Sequence, residues 1–167
     1  MELFGESNHR QVFYLNIHRD GEWFSKLPDE KWIVFTISDE KDIQLISMIV
    51  DKCLNKNVGY ICCAGKTCEL THDIFDEELV ARAIGIENRT GVEYDYEDSP
   101  NTTWHNNFSE GFWFSIVSAY DGDKEFNKVV CLDSTVKGVR KHIRNLLAKI
   151  NSSWLPSDEK FEEPVYD

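Results

Sequence analysis

The amino-acid sequence predicts one α/β domain, a three-layer α/β/α sandwich around a four- to five-stranded, mainly parallel sheet of the Rossmann-like or flavodoxin-like kind. Three observations lead there. Short β-branched and aromatic runs alternate with segments of helical periodicity. No repeat or low-complexity linker divides the 167 residues, which is near the usual size of one domain. A hydrophobic fraction of 41% and an aromatic fraction of 13% supply a core that a disordered chain would lack. Strands that alternate with helices run parallel with right-handed crossovers, so the helices must cover both faces of the sheet. The domain is expected over residues 1–157, with a loose acidic tail over residues 158–167.

The first thirty residues mix charge and aromatics and close on the turn signal Leu27-Pro28-Asp29, which suits a strand or an extended arm. Trp32-Ile33-Val34-Phe35-Thr36-Ile37 is an almost unbroken apolar run, as in a strand buried on both faces. Ser38-Asp39 can cap a helix in which Ile43, Ile46, Ile49 or Val50, and Cys53 or Leu54 recur at helical spacing up to Asn55-Lys56-Asn57. Residues 58–63 form a second short strand that ends at Ala64-Gly65-Lys66. Thr71 to about Ala83 reads as a helix, with Phe75, Leu79 and Ala83 on one stripe and Val80 and Ile84 beside it.

Residues 85–101 read as an acidic loop or edge, because Glu93-Tyr94-Asp95-Tyr96-Glu97-Asp98 alternates but is charged at most polar positions. Thr102-Thr103-Trp104 makes a short third strand. Ser109 caps a helix through Phe112, Phe114, Ile116, Val117 and Tyr120, apolar nearly all round and so buried. Lys128 to Asp133 is the last strand. Ser134-Thr135 caps an amphipathic helix with Val136, Val139, Ile143, Leu146 or Leu147, and Ile150 on one face, and Lys137, Arg140, Lys141 and Arg144 on the other.

Thirty acidic residues against eighteen Lys and Arg leave a formal charge of -12, the wrong sign for neutralising phosphates. Nucleic acid and membrane are excluded as partners on that ground, and such a field attracts a basic protein or a cation instead. No apolar run approaches the ~18 residues that span a bilayer, and the N-terminus lacks the basic start and apolar centre of a signal peptide. Five cysteines without regular spacing suit free thiols in a reducing, cytoplasmic compartment.

In an open parallel sheet, groups just past the carboxyl ends of the strands line a common crevice. That rule selects Ser38 and Asp39, then Cys63, Gly65, Lys66, Cys68 and His72, then Trp104 and His105, and last Asp133 and Ser134. Cys63, Cys68 and His72 offer S, S and N donors to zinc, with His105 or Asp133 as a fourth, at a spacing that matches no standard ribbon or finger. No metal or cofactor is assigned. A cysteine at a helix N-terminus with a histidine nearby can instead serve as a thiolate nucleophile, and the third reading has Cys62 and Cys63 simply filling the sheet. Gly65-Lys66-Thr67 lacks the upstream glycine of a phosphate-binding loop, since that position is Tyr60. The dinucleotide-binding glycine pattern and the hydrolase nucleophile elbow are missing too.

Taken together, Cys62-Cys63-Ala64-Gly65-x-x-Cys68-Glu69-x-x-His72-Asp73-x-x-Asp76-Glu77, then Thr102-Thr103-Trp104-His105, then Ser109-Glu110-x-x-Trp113-Phe114, resemble a family of small uncharacterised bacterial α/β proteins over roughly residues 30–135. The resemblance implies that the first block follows a strand and that the Thr-Thr-Trp-His block ends another. It would bring Cys68, His72 and Asp73 near Trp104 and His105. The acidic segment 93–98 is an addition to that pattern. The resemblance brings no activity with it.

Two functions follow. The first is a non-catalytic interaction or regulatory protein, of immunity type or similar, whose acidic surface docks a basic protein. The alternative is a small enzyme or ligand-binding domain in which Cys68, His72, Asp73 and His105 do the chemistry and Asp39, Gly65, Trp104 and Asp133 hold the ligand. The alternative requires His72 and His105 to share one pocket with each other or with Cys68.

Overall fold

In the computed structural model, residues 1–17, 21–157 and 160–167 are described, so Asp158 and Glu159 of the expected tail lie outside the described residues. Asn8 and His9 both take left-handed backbone angles, φ 47° and 63°, between Ser7 and Arg10, which pair across the turn. Two such residues make the tight hairpin turn whose twist suits paired strands. The first residues are therefore two antiparallel strands, β1 (Glu2–Ser7) and β2 (Arg10–Asn16), not one strand or an arm.

Strands β3 (Trp32–Ile37), β4 (Tyr60–Ala64), β5 (Asn101–Trp104) and β6 (Lys128–Asp133) complete a six-stranded mixed sheet in the order β1-β2-β6-β3-β4-β5. All neighbours after the hairpin are parallel. The expected four or five strands thus become six, with one antiparallel pair at the edge. The central strands obey the period of two. Ile33, Phe35 and Ile37, with Tyr60 and Cys62, join one apolar cluster, whereas Trp32 and Val34, with Ile61 and Cys63, join another. Adjacent Cys62 and Cys63 therefore enter opposite faces.

Four helices pack on the sheet: α1 (Ile43–Leu54), α2 (Cys68–Thr90), α3 (Phe108–Val117) and α4 (Arg140–Asn151). Ile46, Ile49, Val50 and Cys53 of α1 and Phe75 of α2 belong to the cluster around Trp32 and Val34. Phe108, Phe112 and Ile116 of α3 and Ile143, Leu146 and Leu147 of α4 belong to the other. Among the described residues no helix is long and apolar enough to cross a membrane.

The caps differ from those expected, each for a local reason. Asp42, whose carboxylate accepts the Leu45 N–H at 3.1 Å, caps α1 in place of Ser38-Asp39, which are held against the β4 turn. Asn107 caps α3 through the Glu110 N–H, two residues before Ser109. Helix α2 runs on past Ala83, the expected end of its apolar stripe, to Thr90, and closes on Gly91 in the left-handed conformation. Ala83 is fully buried, whereas Val80 and Ile84 beside it stay exposed.

At the other end of the sheet the hairpin closes α3. Buried Arg10 donates to the carbonyls of Ser115, at 2.8 Å, and Ala119, while Asn8 Nδ2 donates to that of Ile116 at 3.1 Å. A cation at the carboxyl end of a helix satisfies its orphan carbonyls and complements its dipole.

Candidate functional site

The carboxyl ends of β3, β4, β5 and β6 bring Asp39, Gly65, Cys68, Trp104, His105 and Asp133 to one end of the sheet. Gly65 sits at φ +92°, and a Cβ there would stand 2.4 Å from the Ser38 carbonyl oxygen. Glycine is what lets the turns after β3 and β4 touch. Thr67 N–H donates to Ser38 O at 3.1 Å, and Lys66 N–H donates to Asp39 Oδ1 at 3.1 Å. Asp39 thus takes the amide that a phosphate would need, and its other oxygen accepts the Tyr166 hydroxyl.

Asp133 is fully buried and fully used. Oδ1 accepts the Thr135 N–H at 2.9 Å and its hydroxyl at 2.7 Å, and Oδ2 accepts the Val139 N–H at 2.9 Å and the Tyr14 hydroxyl. Burial, followed by this bond to Asp133, raises the Tyr14 hydroxyl well above the ordinary tyrosine range. The carboxylate ties β6 to the turn that precedes α4 and to β2, so Ser134-Thr135 serve that turn and α4 begins only at Arg140.

The two histidines are separated by β5. Thr102 lies opposite Ile61 and Trp104 opposite Cys63, on the face of α1 and α2, and Thr103 lies opposite Cys62 on the face of α3 and α4. His72 Nε2 stands 3.1 Å from Thr102 Oγ1, and its ring packs against Trp104 with centroids 4.8 Å apart and planes tilted by 58°. Thr102 donates its hydroxyl proton to Asp76 at 2.6 Å, which leaves its lone pairs to receive the Nε2–H. Asp73 and Asp76 each lie 3.5 Å from the His72 ring nitrogens. His105 instead bonds Thr103 Oγ1 at 3.2 Å and packs at 4.9 Å on Phe114 of α3. Burial lowers its pKa to about 4, so it is neutral at pH 7.

Cys68, the first residue of α2, is buried and points its thiol at Asn106 Oδ1, 3.5 Å away. Burial pushes the thiol above the ordinary cysteine value, and the backbone amides at the helix start pull down less than burial pushes up. The Cys68 environment thus favours a protonated, enclosed thiol over the thiolate that the nucleophile reading requires. All five cysteines are free and buried. Among the described residues no three His, Cys, Asp or Glu side chains come together as metal ligands.

Residues 160–167, expected to be a loose tail, run across this end of the sheet and join two helix starts. Phe108 N–H of α3 donates to Glu162 O at 2.8 Å, and Ser109 Oγ donates to Glu162 Oε2 at 2.5 Å. Lys141 N–H of α4 donates to Asp167 Oδ1 at 2.9 Å, and Val165 N–H donates to His142 Nδ1 at 2.9 Å. Carboxylates at helix N-termini meet the positive ends of the dipoles. Burial lowers the His142 pKa and so favours the neutral ring, and the bond from Val165 N–H selects the tautomer in which Nδ1 accepts. The hollows left at this end include one of about 200 Å³ among Gly65, Lys66, Asn106, Phe161 and Pro164. Another, of about 810 Å³, lies between α4 and this segment, among Lys141, Lys149, Glu162 and Tyr166.

The turns expected to converge do meet at one end, but the structure places His72, Asp73 and Trp104 on one face of β5 and His105 on the other, where the sequence predicts them together. Tyr14, His142 and Tyr166, which also organise that end, are not among the expected residues. The available signal is Val165-Tyr166, an apolar pair in an otherwise acidic tail. Of the basic face expected on α4, Arg140 and Arg144 both bind Glu2 of β1 at the surface.

A family model described as a domain of unknown function, DUF7684, matches residues 12–150, and the chain belongs to that family. No curated protein and no solved structure matches the chain.

Proposed function

We propose that this member of the DUF7684 family is a non-catalytic interaction domain of the cytoplasm whose acidic end docks a basic protein partner. The observation that carries the reading is where the charge lies. Residues 67–123 hold thirteen Asp and Glu against Arg82 and Arg89, a balance of -11 out of the -12 of the whole chain. These residues are α2, β5, α3 and their loops, at the β5 end of the sheet. Arg82 is already engaged by Glu78 and Asp51, at 2.7 and 3.0 Å. A one-signed field at one end of a small domain steers an oppositely charged partner and makes association fast and salt-sensitive.

A catalytic use of the rim has less in its favour. Its thiol is enclosed, its histidines face apart, Asp133 is saturated, and residues 160–167 occupy the crevice. The free, buried thiols suit a reducing compartment.

Fluorescence anisotropy with labelled lysine-rich and glutamate-rich peptides of equal length tests the reading. The basic peptide should bind and weaken by about tenfold or more between ~50 and ~300 mM salt. The double variant Asp73→Lys, Glu77→Lys should weaken it further. Equal affinity for both peptides, or binding indifferent to salt, would refute the proposal.

A further inference from the structure

Among the described residues, strand β5 ends the sheet and pairs on one side only, with β4. His105 N–H donates to Cys63 O across that pair at 2.9 Å. In a parallel ladder every second residue turns its N–H and C=O to a given neighbour. Positions 103 and 105 therefore face β4, and Thr102 and Trp104 direct theirs to the open edge. The opposite edge is less suited to a new strand: β1 is irregular between Leu3 and Gly5, and its Glu2 is held by Arg140 and Arg144.

The surroundings of the β5 edge are aromatic and acidic at once. Trp104 is 47% exposed, and on its own face stand Asp73 and Asp76, whose side chains are 62% and 48% exposed. Just before the strand, Tyr94 contacts Ser99 and packs edge-on at 5.2 Å with the exposed Tyr96. Exposed indole and phenol rings attract Lys and Arg cations, and carboxylates beside them choose the same partner.

We infer that the β5 edge accepts an extended, Lys- or Arg-bearing segment of a partner protein, which adds to the sheet as a seventh strand. The outward backbone groups of Thr102 and Trp104 supply direction. The Trp104 ring takes a cation, and Asp73 and Asp76 pair with those beyond it. A second copy of this chain is the wrong occupant, since edge to edge it would set one -11 segment against another. The inference rests on the acidic-end reading proposed above and names how that end binds.

The test uses the full chain and three fluorescent peptides of identical charge: an alternating Thr-Lys-Val-Lys octamer, and the same octamer N-methylated at every second residue in either register. The parent should bind and slow amide exchange at Thr102 and Trp104 by about tenfold. Methylation in the register that meets β5 should weaken binding by about tenfold or more, while the other register binds as the parent does. Trp104→Ala, checked for an unchanged circular dichroism spectrum, should weaken the parent severalfold. Equal binding of all three peptides would overturn strand addition while leaving the acidic-end reading standing. Binding of none would overturn both.

Discussion

Asp133→Asn separates a structural carboxylate from a ligand-binding one. Asp133 is fully buried, and its two oxygens accept four hydrogens, from Thr135 twice, Val139 and Tyr14. Asparagine keeps one accepting oxygen and turns an NH₂ toward the other pair of donors. Tyr14 can rotate its hydroxyl to accept, but a main-chain N–H, that of Val139 or Thr135, then faces a donor. One buried donor without a partner costs roughly 1–3 kcal/mol, and the hydrogen bonds that remain lose their charge assistance. The substitution should destabilise the domain by about 2–4 kcal/mol, and Tyr14→Phe, which orphans no donor, by about 1 kcal/mol. Urea unfolding followed by tryptophan fluorescence reads both, and the melting temperature should fall by about 4–12 °C for Asp133→Asn in a domain of this size. If Asp133→Asn stays within about 0.5 kcal/mol of the parent, or costs less than Tyr14→Phe, the carboxylate does not hold these turns together.

His105 is buried and neutral with a pKa of about 4 against an ordinary 6.5. A depressed histidine binds more protons unfolded than folded, so stability falls as pH drops through 6.5 toward 4. It should fall by about 2 kcal/mol at pH 5 relative to pH 7, and His105→Gln should flatten that part of a urea-measured pH profile. Gly65→Ala combines a left-handed φ with a Cβ 2.4 Å from Ser38 O; a loss of about 2 kcal/mol or more in thermal unfolding is expected, and a neutral outcome would remove the close approach of the two turns. Arg10→Met keeps the stem but leaves the Ser115 and Ala119 carbonyls unpaired. It should cost about 2–3 kcal/mol and speed amide exchange in the last turn of α3, whereas exchange spread evenly over the sheet would argue against a cap.

Where a side chain's own neighbours in sequence decide its environment, the reading from residues alone stands. Trp32–Ile37 and Lys128–Asp133 are doubly buried strands because runs of β-branched and aromatic residues have no polar face to turn outward. Ile46, Ile49, Val50 and Cys53 mark the buried stripe of α1 because helical geometry is local. The hairpin Glu2–Asn16 escaped because Asn8-His9 reaches left-handed angles without the glycine that signals such turns, and tertiary packing of Arg10 and Asn8 on α3 supports it. The caps at Asp42 and Asn107 escaped because several polar residues compete within one turn, and the surrounding contacts choose between them.

For the site, sequence by itself determined which residues gather at the carboxyl ends of the strands, since a βα order dictates that the turns converge. It also determined that the molecule is strongly acidic, and that this charge sits between residues 67 and 123. Only tertiary structure decided which faces those residues share. The register of β5 on β4, a nonlocal pairing, sends Thr102 and Trp104 to His72 and Thr103 to His105. Shifting that register by one residue would exchange the two histidines' surroundings. Likewise the fate of the tail is a long-range matter: Glu162 and Asp167 find the starts of α3 and α4 only after the sheet has placed both helices at one end. The expected α/β class is met by a six-stranded mixed sheet, with residues 160–167 bonded to the helix starts at its carboxyl end and the net charge concentrated in the segment that contains β5.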